Sequence, residues 1–266
     1  DFPFFPIFQP VELVKPLFII FIARIIILNE KTNIYKRYLY SFLALSLIAA
    51  FLINQPDLGQ TLLLVSIWIT MIFASGFNML TLSIFGLIFL SIIGLLIFFF
   101  PEKFSHVFQR IKTFIDPTSG DNFQSQKALD AIKQGGLTGQ GMGEGVLKDE
   151  VPEAHTDYII AVISEEFGAV FVLFIVIIFL YIGYKVLNKA FLEKDEFIKL
   201  ALCGLVSLLI IQSFIHIGVN IRLLPTTGMT LPFLSYGGSS LIGSAFIAGI
   251  ILNFTRKDSR RYFKDE

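Results

Sequence analysis

Pro152-Glu153-Ala154-His155-Thr156-Asp157 places two carboxylates and a histidine side by side, directly ahead of a long apolar run. A carboxylate in that position can accept a proton from a hydroxyl as its oxygen attacks. Just upstream, Gly135-Gly136-Leu137-Thr138-Gly139-Gln140-Gly141-Met142-Gly143-Glu144-Gly145 holds six glycines in eleven residues. Glycine amides can approach a ligand closely and cradle a phosphate. The segment has neither the Gly-Lys-Ser/Thr of a Walker A loop nor the G-x-G-x-x-G spacing. A tightly turned loop is the competing reading.

Asp157 also has a competing role, because Thr156 or Asp157 stands where an N-cap would satisfy the orphan amides of the following helix. His155 is either a surface histidine or, with Glu153, an orienting group. Glu165 and Glu166 fall inside the apolar run, about 12 Å further along. Carboxylates at such depth are costly and tend to be paired or functional. Glu12 and Lys15 are neighbours on one helical face, either as a structural pair or as part of a site. Pro16 is expected to kink that helix. Asp57, in Gln55-Pro56-Asp57-Leu58-Gly59-Gln60-Thr61, either caps the next helix or faces the same cavity. The segment 222–240 is too rich in Pro and Gly to be regular, yet apolar enough to sit at membrane depth. Such backbone is buried in protein or lines a watery cavity. Arg222, Ser235 and Ser239 within it are candidate contacts for a polar head group.

The elements that must position these residues are membrane helices. Of the 266 residues, 55% are hydrophobic and 16% charged, and mean hydropathy is +0.74. Seven stretches approach the ~20 apolar residues of a span: 11–28, 38–53, 58–75, 79–100, 158–184, 197–217 and 235–254. An all-α polytopic membrane protein follows, and a soluble core does not. Zero net charge gives no attraction to nucleic acid. The lone Cys203 is expected as a small buried hydrophobe, and no secretory signal peptide is recognised. Lys31, Lys36 and Arg37, then Lys185 to Lys199, then Arg256 to Lys264, alternate to one side, which the positive-inside rule assigns to the cytoplasm. The loops at 54–57, 101–157 and 218–234 then face outward. Within 101–157, Phe104, Val107, Phe108, Ile111 and Phe114/Ile115 recur at helical spacing. That stripe lies on the membrane surface or on the protein's own top. A turn follows at 116–121, and a second short helix from Gln124 to Lys133.

These pieces, in this order, resemble the SEDS family of bacterial cell-wall proteins, the family of FtsW, RodA and SpoVE. The matching segments are Phe8 to Lys15, Gln55 to Thr61, Gly135 to Gly145, Pro152 to Asp157, Glu165-Glu166-Phe167-Gly168 and Leu224 to Ser240. The runs Pro152–Asp157 and Gly143–Lys148 look more like the septal branch, FtsW, than RodA. Tyr158-Ile159-Ile160 and Val11 are mild departures. The resemblance implies a ten-helix fold with one large extracytoplasmic loop. This chain is then a single domain over 1–266, seven helices of the ten, starting inside a longer protein. It further implies a peptidoglycan glycosyltransferase that polymerises lipid II, with Asp157 as the catalytic carboxylate. Glu12 and Lys15, the loop of Gly136, Gly139 and Gly141, Glu153, His155, Arg222, Ser235 and Ser239 would hold substrate. A divalent cation (Mg or Mn) could neutralise the leaving diphosphate, although no ligand cluster is legible. The implied partners are a class B penicillin-binding protein and other division proteins, at the septal inner membrane. A lipid II flippase and a non-catalytic scaffold are the alternatives. A flippase needs polar groups through the whole membrane depth, whereas here they gather toward one side.

Overall fold

The computed structural model describes residues 9–28, 34–55, 57–77, 101–116 and 123–256, with isolated positions between 83 and 99. Its helices are α1 (Val11–Leu28), α2 (Ile34–Asn54), α3 (Leu58–Ala74), α4 (Ser105–Ile115), α5 (Phe123–Gly135), α6 (Ile159–Leu192), α7 (Glu196–Asn220) and α8 (Gly238–Thr255). Among the described residues there is no strand, and the all-α expectation holds. The span expected at 79–100, the turn at 116–121, Phe8, Lys31 and the basic tail beyond Arg256 lie wholly or mostly outside the described residues. By length and composition α2, α6, α7 and α8 can cross a membrane. Helix α3 is apolar but has 17 residues. Helix α1 has 18, and they include Glu12, Lys15 and Arg24.

Helix α7 is the axis of the bundle. Its apolar window is 67% buried, against 22–28% for α2, α6 and α8. It packs on α1, α3 and α6 through a core that includes Ile19, Ile22, Ile67, Met71, Leu202 and Leu205. Gly204 permits the close crossing, since a Cβ there would lie 2.6 Å from Ile19 and 2.8 Å from Met71. Pro16 leaves α1 a continuous helix, although it cannot donate to the Glu12 carbonyl. That carbonyl is covered by α8, where a Cβ on Gly243 would stand 3.0 Å from it.

The span expected at 158–184 is corrected. Helix α6 runs for 34 residues, about 51 Å against a hydrocarbon core of about 30 Å. The excess is resolved by a break at Gly168, whose φ of 80° and ψ of 172° are non-helical. Residues 169–192 are left to span, about 36 Å of helix. Residues 159–167 form a separate half-helix on the side of the large loop, and Glu165 and Glu166 belong to it, ahead of the break. The apolar run shows no sign of this, because hydropathy does not report φ and ψ.

Helix α5 docks on the half-helix by a face of small residues. Ala128 and Ala131 are fully buried, and a Cβ on Gly135 would lie 1.9 Å from the Ser164 carbonyl oxygen. Val151, Ala154, Tyr158, Ala161, Val162 and Val219 complete this second apolar cluster. Helix α4 behaves differently. Phe104 at the head of its apolar stripe is buried, Val107 and Phe114 are half-buried, and Phe108, Ile111 and Ile115 are exposed, so one edge of the stripe packs on the protein and the other points away from it, as a helix lying in a membrane interface does.

Candidate active site

The turn carrying Asp157 is held from three directions. Glu153 adopts a left-handed φ of 55°, and its carbonyl accepts the N–H groups of Thr156, Asp157 and Tyr158 at 3.1, 3.0 and 3.3 Å. From the segment 221–237, Ser235 Oγ donates to the Thr156 carbonyl at 2.7 Å and accepts from Leu231 N at 2.8 Å. Tyr236 N donates to the His155 carbonyl at 2.8 Å. From α7, Asn220 Nδ2 donates to the Asp157 carbonyl at 3.0 Å. Phe233 and Arg222 also have left-handed φ, 66° and 56°. Such strain gathers where a surrounding structure over-determines the backbone.

With both backbone groups bonded, the Asp157 carboxylate is left uncommitted. Among the described residues it makes no hydrogen bond. The capping role considered for Thr156 or Asp157 is therefore corrected. The N-cap of α6 is Tyr158, without a side-chain bond, and Thr156 Oγ1 donates to Glu153 O and Oε2. Ala161 N instead donates to Asn220 Oδ1 at 3.2 Å, while also reaching Tyr158 O at 2.9 Å. The carboxylate faces Gly228, where a Cβ would lie 3.6 Å from Oδ2. Burial raises the Asp157 pKa above the usual carboxylate range, the Glu153 charge adds to this, and Arg110 opposes it. Burial likewise raises Asp57, with Arg110 and Lys15 among the groups that lower it. Arg110 reaches in from α4, its Nη1 donating to the Thr226 carbonyl at 3.3 Å. One guanidinium thus acts on both aspartates.

The glycine-rich loop is revised from phosphate cradle to helix splint. The break at Gly168 would orphan carbonyls before it and amides after it. Gln140 N and Gly141 N donate to the carbonyls of Glu165 and Glu166 at 2.9 and 3.0 Å. Ala169 N and Val170 N donate to the carbonyls of Gly136 and Leu137 at 3.0 and 3.3 Å. Gly139 N donates to Gly135 O. The amides of Gly139 and Gly141, expected to face substrate, are consumed inside the protein, and Gly136 contributes its carbonyl. The glycines serve close approach: a Cβ on Gly139 would lie 2.2 Å from the Glu166 carbonyl oxygen. Glu165 Oε1 accepts from Leu147 N at 2.8 Å and ties the loop's far end to the same half-helix.

Glu12 and Lys15 are 4% and 1% exposed, closed inside the bundle instead of lining an open cavity. Lys15 Nζ donates to Glu12 Oε1 at 2.8 Å and to Gln212 Oε1 at 3.0 Å. Gln212 Nε2 donates to the Thr230 carbonyl at 2.9 Å. The pair therefore acts on the segment 221–237 through Gln212. Asp57 Oδ1 caps α3 at Gln60 N, 3.0 Å away, which is the first of its two expected roles, and it also feels Lys15 and Arg110. His155 exposes its side chain. Arg222 lies just past the C-terminus of α7 and Ser239 in the first turn of α8, and no hydrogen bond of either side chain reaches Asp157 among the described residues. No three His, Cys, Asp or Glu side chains converge on a metal position among the described residues.

A family model for the cell cycle proteins FtsW, RodA and SpoVE matches residues 1–260. The chain belongs to the FtsW/RodA/SpoVE family. It is 37% identical over 258 residues to a Caulobacter vibrioides protein named probable peptidoglycan glycosyltransferase FtsW, covering 96% of this chain and 64% of that one. A Geobacter metallireducens protein of the same name is 36% identical, covering 94% and 67%. The chain thus spans about two thirds of the length of these relatives. The fold is similar to a chain of a peptidoglycan synthase complex that coordinates polymerization and crosslinking, with a TM-score of 0.75 at 24% identity over 96% of this chain and 72% of that one. It is also similar to Thermus thermophilus rod shape determining protein RodA, with a TM-score of 0.64 at 24% identity over 94% and 66%. This FtsW/RodA/SpoVE member is a multi-pass helical membrane protein.

Sequence reading missed Arg110 and the polar ladder on α7. Gln212, His216 and Asn220 recur every fourth residue of an apolar helix and so share one face. Each pins a backbone group of a neighbouring loop: Thr230, Met229 (His216 Nδ1 to O, 2.7 Å) and Asp157. That spacing was the available signal.

Proposed function

We propose that this chain carries the catalytic centre of a peptidoglycan glycosyltransferase that polymerises lipid II, with Asp157 as general base. Asp157 takes the proton from the acceptor sugar 4-hydroxyl. The freed oxygen bonds to C1 of the donor sugar as the C1–O bond to the lipid diphosphate breaks, with inversion. Undecaprenyl diphosphate leaves with the bonding electron pair. The observation that carries this reading is a carboxylate left uncommitted on a rigid, over-bonded turn, with Arg110 opposite. A raised pKa brings a carboxylate nearer the working range of a base, and Arg110 supplies positive charge for a diphosphate. The names of the relatives support the same chemistry. A Mg or Mn ion on a diphosphate needs only one or two protein carboxylates. Such an ion would neutralise the leaving group.

The outward-facing stripe of α4 suits a substrate that arrives through the membrane interface. Loops 54–57, 101–157 and 218–234 would face the outside of a bacterial inner membrane, with the basic segments and the C-terminus in the cytoplasm. Similarity to a synthase complex supports a class B penicillin-binding protein as partner, at the division septum. A flippase would use polar groups as a path, but Glu12, Lys15 and Glu165 are engaged inside the protein. The test is lipid II polymerisation by the full-length protein with a partner that only cross-links. Glycan strands support the reading. Their absence, under conditions where a known polymerase works, overturns it in favour of translocation or scaffolding.

A further inference from the structure

We propose that Asn220 is a positioning residue for Asp157: from α7 it holds the Asp157 carbonyl and the third amide of α6, and so fixes where the carboxylate points. This rests on the polymerase reading above.

The argument starts from the helix end. The first amides of α6 need acceptors, and the residues nearest to them are the usual capping types. Neither Thr156 nor Asp157 takes that role. Asn220, 59 residues away in sequence, supplies a second acceptor at Ala161 N, beside the Tyr158 carbonyl at 2.9 Å. Its amide has one orientation that works. Nδ2 faces two carbonyls, Asp157 O at 3.0 Å and His216 O at 2.9 Å, while Oδ1 faces an N–H at 3.2 Å. A flipped amide would set oxygen against two carbonyls. The side chain is fully buried, so no water stands ready to replace it. Only a short side chain with two donors and one acceptor fills this place. Aspartate has at most one donor, glutamine adds a methylene, and alanine supplies nothing.

Removing Asn220 unties the Asp157 carbonyl from α7 and takes the cross-helix acceptor from Ala161 N. The turn keeps its own bonds to Glu153, but the carboxylate loses the direction that α7 gave it. The charges facing Asp157 in the native protein are Glu153 from its own turn and Arg110 from α4, with Tyr158 adjacent. Asp57, at the start of α3, shares Arg110, and His216 on α7 is turned to Met229 O.

The experiment is the measurement of kcat and KM for lipid II polymerisation by the full-length protein with its cross-linking partner, for native protein, Asn220→Ala, Asn220→Asp and Asp157→Asn. Asn220→Ala is expected to lower kcat on the order of 10²-fold, as a misplaced catalytic group does, with KM little changed. Asn220→Asp, buried against two carbonyls, is held protonated, keeps one donor and is expected to lose less. A native kcat in both variants, or a loss carried by KM alone, would overturn the proposal. So would failure of both variants to fold, which would make Asn220 a residue of stability alone. An Asp157→Asn protein that polymerises at the native rate would instead sink the base reading, whatever Asn220 does.

Discussion

Gly168→Ala tests whether the broken helix is built by the glycine loop. At its φ of 80° and ψ of 172°, a residue with a side chain is strained by about 1–3 kcal/mol. The new methyl would sit 2.2 Å from the Leu137 carbonyl oxygen, and overpacking of that kind costs about 1–3 kcal/mol more. The protein has a cheaper exit. Alanine favours a straight helix by about 1 kcal/mol over glycine, and straightening removes both strains. It also detaches the loop, losing the bonds Gln140 to Glu165, Gly141 to Glu166, Ala169 to Gly136 and Val170 to Leu137. Straightening regains two bonds, Ala169 N to Glu165 O and Val170 N to Glu166 O, so the net loss is two bonds at about 0.5–1.5 kcal/mol each, set against the propensity gain. The expected net destabilisation is up to roughly 2 kcal/mol, which lowers Tm by up to roughly 8 °C at this size. The assays are thermal unfolding in detergent and amide exchange across residues 136–146, where protection is expected to disappear. Native Tm together with native protection in the loop would refute the reasoning.

Three further outcomes follow from the same geometry. Arg110→Ala removes a charge that lowers both Asp57 and Asp157, so the acid limb of the pH–rate profile of polymerisation should move to higher pH, and a limb that stays in place would contradict the shared guanidinium. Lys15→Met leaves Glu12 buried without its cation and should destabilise by about 3–5 kcal/mol; Glu12→Leu added to it should restore most of that loss, and denaturation that ranks the double variant below the single one would contradict the closed pair. The raised pKa of Asp157 means that the folded protein holds its proton to higher pH than the unfolded chain does, so this group's contribution to stability is lost as pH rises through the folded pKa. Asp157→Asn should therefore raise Tm at neutral pH, with the gain shrinking below the usual carboxylate range, and a lower Tm at neutral pH would contradict it.

The all-α architecture and the candidate carboxylate Asp157 could be picked out because hydropathy and residue order carry them. The break at Gly168 could not, since it lies in a backbone conformation and in loop amides arriving from 136–141. Glycine richness was visible, but its use was not: the same residue type serves a phosphate or a close packing contact, and only the partner atoms distinguish them. Asn220 was hidden by distance, because a cap is normally sought beside its helix and this one comes from another span. Glu12 and Lys15 were paired correctly from their spacing, yet spacing says nothing about whether a pair opens to a cavity. Arg110 falls between the apolar positions of the α4 stripe, where nothing in the sequence sets it apart, and only the fold brings its charge to bear on two aspartates.

The most direct measurement is the rate of glycan synthesis from lipid II by the full-length protein carrying Asp157→Asn, set beside the native protein at equal folded amount and with the cross-linking partner bound. The account predicts an assembled, stable complex that makes no glycan strands. Strands produced at the native rate would contradict it, because a turn held by Glu153, Ser235 and Asn220 would then be presenting a carboxylate that the reaction does not use.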